Sequence, residues 1–273
     1  MVLFKKSLFW WIIAFIFTLS IAYYQRVTGP TYPVSGKIII NERLIEYKLL
    51  TSSESHIPAE IVISGNVKGI SGKSEYRRFK SNDQWQTADF NSDGEKLKAG
   101  LPPQPPAGKL EYIVILNDGM KEYLITEEPV VIRFKGAVPL YILIPHVIFM
   151  FTAMLFSTRT GIEALRKGPS LKWMTLATLI LLGLGGMLLG PIVQKFAFGE
   201  FWTGWPFGQD LTDNKTLIAF AAWFIAYLRV RKDASNRGWV IAASIILLSI
   251  FLIPHSMFGS ELDHTTGEVK TGR

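Results

Sequence analysis

The chain has 273 residues, 49% of them hydrophobic and 19% charged, with a formal net charge of +7 and no cysteine. A polar block sits among several almost purely apolar runs, which excludes a single soluble globule. The lack of cysteine excludes disulfides, thiolate metal sites, iron–sulfur clusters and cysteine nucleophiles.

Crossing a bilayer takes roughly 20 apolar residues, and five runs come near or reach that length: Leu8 to Tyr24, Val138 to Phe156, Trp173 to Ile192, Thr216 to Leu228 and Trp239 to Phe258. The first follows Lys5 and Lys6 as a signal peptide would. Its length, and the paired Tyr23 and Tyr24 before Arg26, favour a retained anchor with an interfacial aromatic belt. The block 31–135 is neutral, with 14 basic and 14 acidic residues. Lys5, Lys6, Arg159, Arg166, Lys167, Lys172, Arg229, Arg231, Lys232 and Arg237 face only Glu163 and Asp233 on what a five-span chain makes one side. That is the positive-inside pattern. The basic balance is therefore a topology signal and does not point to nucleic acid. The expected location is a bacterial inner membrane, with the N-terminus cytoplasmic and residues 31–135 and the C-terminus extracytoplasmic. The lipid bilayer is the first partner.

Four domains follow: an anchor at 1–30, an extracytoplasmic β-sandwich at 31–135, a four-helix bundle at 136–258 with an aromatic outer loop at 193–214, and a tail at 259–273. In the block 31–135, strands are predicted at Val34–Ile40, Arg43–Leu50, Glu60–Ser64, Tyr76–Lys80, Gln84–Phe90, Lys109–Leu116, Lys121–Thr126 and Val130–Phe134. Asn41-Glu42 and Asn117-Asp118-Gly119 supply hairpin turns. The segment Leu101-Pro-Pro-Gln-Pro-Pro-Ala-Gly-Lys-Leu-Glu-Tyr112 resembles the strand entry of immunoglobulin-like and fibronectin-like modules, and implies an all-β immunoglobulin-like sandwich. His56 lies in a solvated turn, and Tyr76-Arg77-Arg78-Phe79 with Trp85 is the pattern of a half-exposed strand with cross-strand pairs.

Within the bundle, Leu143-Ile144-Pro145-His146 repeats as Leu252-Ile253-Pro254-His255, and a phenylalanine follows each histidine by three residues. Each proline frees a carbonyl and predicts a local kink. Both histidines fall in the outer half of the bilayer at similar depth. Intramembrane imidazoles ligate haem iron, hold a quinone or relay protons. The plain alternative is His255 hydrogen-bonded at the interface with Pro254 ending its helix, and His146 donating to a freed carbonyl. In the third run, Gly186 and Gly190 form a Gly-x-x-x-Gly pair suited to close helix contact.

The loop 193–214 carries six aromatics, from Phe196 to Phe207, and is expected to fold over the bundle's outer mouth. Thr212 or Asp213 is the simplest N-cap for the fourth run, which leaves Glu200 and Asp210 without a structural reason. Together with Glu261, Asp263 and His264 of the tail they are candidate ligands for a divalent metal, although their spacing matches no ligand motif. There is no nucleotide fingerprint, serine-nucleophile elbow or metalloprotease helix. A transport path through the bundle fits poorly, because the spans carry few interior charges.

The stretch from the fourth run through Ile253-Pro-His-Ser-Met-Phe-Gly-Ser-Glu-Leu-Asp-His-Thr-Thr-Gly267 is similar to small bacterial membrane proteins of a four-helix, cytochrome-b-like type. The likeness covers about 50 residues, leaves out the sandwich, and implies His146 and His255 as axial ligands of a b-type haem. Two functional readings result. One is an accessory or assembly subunit of a larger membrane complex, without independent catalysis, docking through its sandwich. The other is a membrane electron-transfer protein holding haem b or quinone between His146 and His255.

Overall fold

The computed structural model describes residues 2–254, 257 and 259–272, with side chains from residue 7 onward. Helix α1 (Val2–Val27) leads into a β region, four helical spans of chain follow, and a short hairpin ends the described residues.

The β region is built from two sheets around one core. The first runs β1 (Val34–Ile40), β2 (Arg43–Leu49), β4 (Ala59–Gly65), β8 (Lys96–Leu101), β7 (Asn91–Ser92). The second runs β3 (Ser52–Glu54), β11 (Val130–Lys135), β9 (Lys109–Asn117), β5 (Ser71–Arg78), β6 (Gln86–Asp89), and β10 (Glu122–Leu124) also pairs with β9. Pairing is antiparallel apart from β3 with β11. Alternation fixes which face is buried. In β9, Leu110, Tyr112, Val114 and Leu116 point inward and meet Ile45, Ile61 and Ile63 of the other sheet. Each such burial contributes about 1.5–3 kcal/mol. Asn41 and Glu42 both have positive φ, as a two-residue hairpin requires. In the second turn, Asp118 Oδ1 accepts from the amides of Met120 and Lys121, both at 2.8 Å.

Most predicted strands occur with shifted ends. Strands β3, β7 and β8 were not predicted. In β8, inward Leu97, Ala99 and Leu101 alternate with Lys96, Lys98 and Gly100, and the small residues mute the pattern. Strand β5 starts at Ser71 rather than Tyr76, because its polar first half takes its register from β9, with Ser71 opposite Asn117.

The helices are α2 (Leu140–Leu165), then α3 (Leu171–Leu182), a π-helical segment (Gly183–Leu189) and α4 (Gly190–Phe198) as one continuous rod, α5 (Leu211–Lys232) and α6 (Arg237–Leu252). Among the described residues, three helices are long and apolar enough to cross a membrane: Ser7–Val27, Leu140–Leu165 and Leu171–Phe198. Helix α5 has the length but carries Asp213 and Lys215, and α6 has only 16 residues.

The two Leu-Ile-Pro-His strings are not equivalent. Pro145 lies inside the start of α2, where its missing N–H affects only the carbonyl of Tyr141. Pro254 follows the end of α6, and Ile253 is extended (φ −78°, ψ 120°), as a residue before proline prefers. The predicted kink there is instead a helix stop, and the run to Phe258 is shorter as a helix. His255 and Phe258 lie outside the described residues.

The two ends of the bundle differ in charge. At the end away from the β region, the 166–172 and 229–237 segments meet. Lys172 donates to the Arg231 carbonyl (3.4 Å), Arg237 to that of Gly168 (3.3 Å), and Arg166 stacks over Trp10 at 4.8 Å. The buried Arg159–Glu163 pair (2.8 Å) sits just inside, and Glu163 also accepts from the Ser170 amide.

Candidate functional site

At the opposite end, beneath the β region, the helices leave a cavity of about 280 Å³. Its walls are apolar, formed by Val147, Met150 and Phe151 of α2 and Leu247, Ile250 and Phe251 of α6 among others. The glycines of the π segment set its position. A Cβ on Gly185 would stand 2.9 Å from that of Phe149, and one on Gly186 would stand 2.7 Å from Thr216 Cγ2. Both glycines therefore permit close approach of α2 and α5. Gly190 lines the cavity itself, where a Cβ would meet only Gly185 O and the His146 ring at ordinary distances.

His146 stands in the cavity wall. Its Nδ1 lies 2.9 Å from the Gly185 carbonyl, which also accepts the π-type bond from the Gly190 amide. A carbonyl can only accept, so Nδ1 carries a proton, and in the neutral ring it is Nε2 that keeps the lone pair. No other hydrogen bond reaches this ring among the described residues.

The cavity's outer rim is polar. Asp210 caps α5, with Oδ1 accepting from the amides of Thr212 (2.8 Å) and Asp213 (3.3 Å), and Oδ2 accepting from Ser260 Oγ at 3.1 Å. Asp213 Oδ2 accepts from the Thr203 amide at 2.7 Å, and Gln194 Nε2 donates to Thr203 Oγ1 at 2.7 Å. Gly204 passes so near that a Cβ would come within 2.6 Å of Asp213 Cβ. Lys215 is buried, at 6% exposure, and donates to the Ile253 carbonyl at 3.2 Å. No carboxylate pairs with it among the described residues. Gln25 of α1 also reaches over, donating to the carbonyls of Phe251 (3.2 Å) and Ile253 (3.4 Å).

The C-terminal hairpin, β12 (Ser260–Leu262) with β13 (Val269–Thr271), closes the rim and ties the bundle to the β region. The Leu262 amide donates to Ala107 O at 3.0 Å, Gln209 N to Thr271 Oγ1 at 3.2 Å, and Gly136 N to Ala197 O at 2.9 Å. Glu261 pairs with Lys109 and with Lys80 (3.3 Å). Burial pushes the Glu261 carboxyl up, but Lys109 and Lys80 outweigh it and hold it below the usual carboxylate range. Burial, with Arg133 beside it, pushes the Lys109 ammonium down despite Glu261. The acid-side titration of this joint therefore belongs to Glu261.

The candidate metal ligands are not gathered: no group of three His, Asp or Glu able to hold an ion forms among the described residues. Asp210 is the N-cap of α5, which corrects the assignment of that role to Thr212 or Asp213 and supplies the structural reason it lacked. Glu261 is in the joint. Asp263 organises the β12–β13 turn, accepting from the amides of Thr265 (2.9 Å) and Thr266 (3.2 Å) and from Lys270 (2.9 Å), and these bonds, Lys270 first, hold its carboxyl down at about 2. His264 lies near Arg78 and Asp83, and Glu200 is exposed. His146 is the only one of the two histidine candidates that the structure places, since His255 lies outside the described residues. Of the aromatic loop, Trp202 lines the cavity, as a loop folded over the mouth requires, while Trp205 and Phe207 face outward. Sequence reasoning gave Lys215 and Gln25 no role; the signal was a lysine immediately before the run Thr216–Leu228 and a glutamine immediately after the run Leu8–Tyr24. Compared with family models, curated proteins and solved structures, the chain matches none.

Proposed function

We propose that this chain is an accessory or assembly subunit of a larger complex in the bacterial inner membrane, without catalysis of its own. In this reading all five apolar runs cross the bilayer, the N-terminus and basic loops are cytoplasmic, and the β region is an extracytoplasmic immunoglobulin-like sandwich that docks a partner. The observation that carries it is the mount. The β region is fixed to the bundle through Glu261 with Lys80 and Lys109, Leu262 with Ala107, and Ser260 with Asp210. A module that only needs to float on a linker gains nothing from such a joint, whereas one that presents a surface at a set angle does. The free edge strand β1 and its outward pair Ile39 and Leu44, 69% and 49% exposed, offer that surface. The collection of basic groups at the far end of the bundle supports the orientation.

The test is native electrophoresis of mildly solubilised membranes. The chain is expected in a species well above its own size, and Ile39→Glu with Leu44→Glu is expected to release it. Migration of both forms as the lone chain contradicts the reading.

A second reading has an observation of its own: an imidazole with a free lone pair in the wall of an intramembrane cavity. This is the electron-transfer protein with haem b or quinone between His146 and His255. The donor set suits either, but the cavity falls just below the usual size range of ligand pockets. That favours a small ring over a porphyrin with two propionates. Bound haem or quinone would supply the electron carrier, and His146 would hold it from the α2 side. Loss of a reduced-minus-oxidised absorption band on His146→Ala is the expected result if haem is present.

A further inference from the structure

We infer that the cavity receives the head of a neutral lipid bearing ring carbonyls, of the quinone class, with Lys215 as the donor to a carbonyl and His146 Nε2 as the acceptor for the hydroxyl of its reduced form. The inference rests on reading the chain as membrane-embedded, and it adds Lys215 and the charge of the head to that reading.

The charged groups around the cavity discriminate among heads. Two carboxylates, Asp210 and Asp213, and one ammonium, Lys215, line the cavity, and Gly185 holds the neutral form of His146 in its Nδ1–H tautomer. Arg133, over the Phe198 ring and beside Asp210, offsets one of these carboxylates from outside the lining, so an anionic head such as a fatty acid or phosphatidate would have to compete with Asp210 and Asp213 for the single lining ammonium. A cationic head finds both carboxylates already engaged: Asp210 by two amides and Ser260, Asp213 by Thr203. The Lys215 ammonium has three N–H donors and gives one to Ile253 O, its only hydrogen-bond acceptor among the described residues. A buried ammonium with spare donors favours an acceptor beside it. A carbonyl meets that need without bringing charge. Phe151, Met150 and Phe251 offer apolar walls for a ring and the start of its chain.

The experiment is calorimetric titration of the full chain, in phosphatidylcholine nanodiscs, with a decyl-substituted benzoquinone and separately with oleate. One-to-one binding of the quinone is expected, with no heat from oleate. Lys215→Met, which replaces a buried charge by a chain of similar length, is expected to weaken binding by about 10- to 100-fold, the worth of a charged hydrogen bond. Gly190→Leu, at a position where the backbone has room, fills the cavity and is expected to abolish binding. His146→Gln is expected to weaken the quinol more than the quinone. Unchanged affinity in both Lys215→Met and Gly190→Leu overturns the site, as does tighter binding of oleate. A chain that enters nanodiscs and binds no quinone overturns the site alone. One that stays out of nanodiscs overturns the membrane reading with it.

Discussion

The β region and the outer end of the bundle treat burial in opposite ways. The β core is closed and apolar: Ile40, Ile45, Ile61, Leu97, Leu110 and Phe134 meet with no carboxylate, ammonium, guanidinium or imidazole in their cluster, and the buried phenol of Tyr112 donates to the Leu50 carbonyl. Beneath it, the bundle buries Asp210, Asp213 and Lys215 within a few residues of one another and keeps a cavity beside them. The first arrangement adds stability and specifies a shape. The second gives up packing and desolvates charge, which costs stability. In the proposed reading the first is the docking module and the second the site.

The largest effect should come from the dry side. Phe134→Ala removes a fully buried ring between the sheets and is expected to cost about 3–5 kcal/mol, read as a shift in the β region's denaturation midpoint. Glu163→Ala at the other end of the bundle leaves Arg159 buried without its partner; about 3–5 kcal/mol is expected, seen as lost hydrogen-exchange protection in 159–171. Asp210→Ala deletes the α5 cap and the Ser260 contact, and about 0.5–2 kcal/mol of thermal stability should go with it. Lys215→Met is the sharpest contrast. Replacing a buried cation by an apolar chain is expected to leave stability unchanged or raised, so a loss as large as that of Phe134→Ala would show that Lys215 belongs to the structure and not to a site.

The smallest effect is that of pH on the joint. Glu261 has a lowered folded-state value, so its contribution is fully present above the ordinary carboxylate range and is lost as pH falls through the folded value. Proteolysis of 259–272 should therefore be slow at neutral pH and quicken below the ordinary carboxylate range, and Glu261→Gln should remove that dependence.

Much of this was legible in the sequence, for physical reasons. The apolar runs, the neutral block and the hairpin turns at Asn41-Glu42 and Asn117-Asp118-Gly119 are local signals of composition and period. Strand β8 was hidden because Ala99 and Gly100 dilute its alternation. The unequal fates of Pro145 and Pro254 were legible only as alternatives, a kink or a helix stop, because identical strings lie at opposite ends of their helices. Lys215 could not be weighed from sequence, since its importance lies in where the Ile253 carbonyl falls and in what the two aspartates already hold. Asp210 looked like a ligand for the same reason: a cap is recognised by its backbone partners, and those depend on where α5 begins.

The central claim is that the outer end of the bundle is a site for a neutral carbonyl-bearing lipid and not merely imperfect packing. Native mass spectrometry of the protein taken gently from its own membrane, with solvent extraction of what it retains, tests this most directly. The account predicts one quinone-class molecule per chain, absent from Gly190→Leu. Retention of phospholipid or fatty acid alone, equally in both, would contradict it.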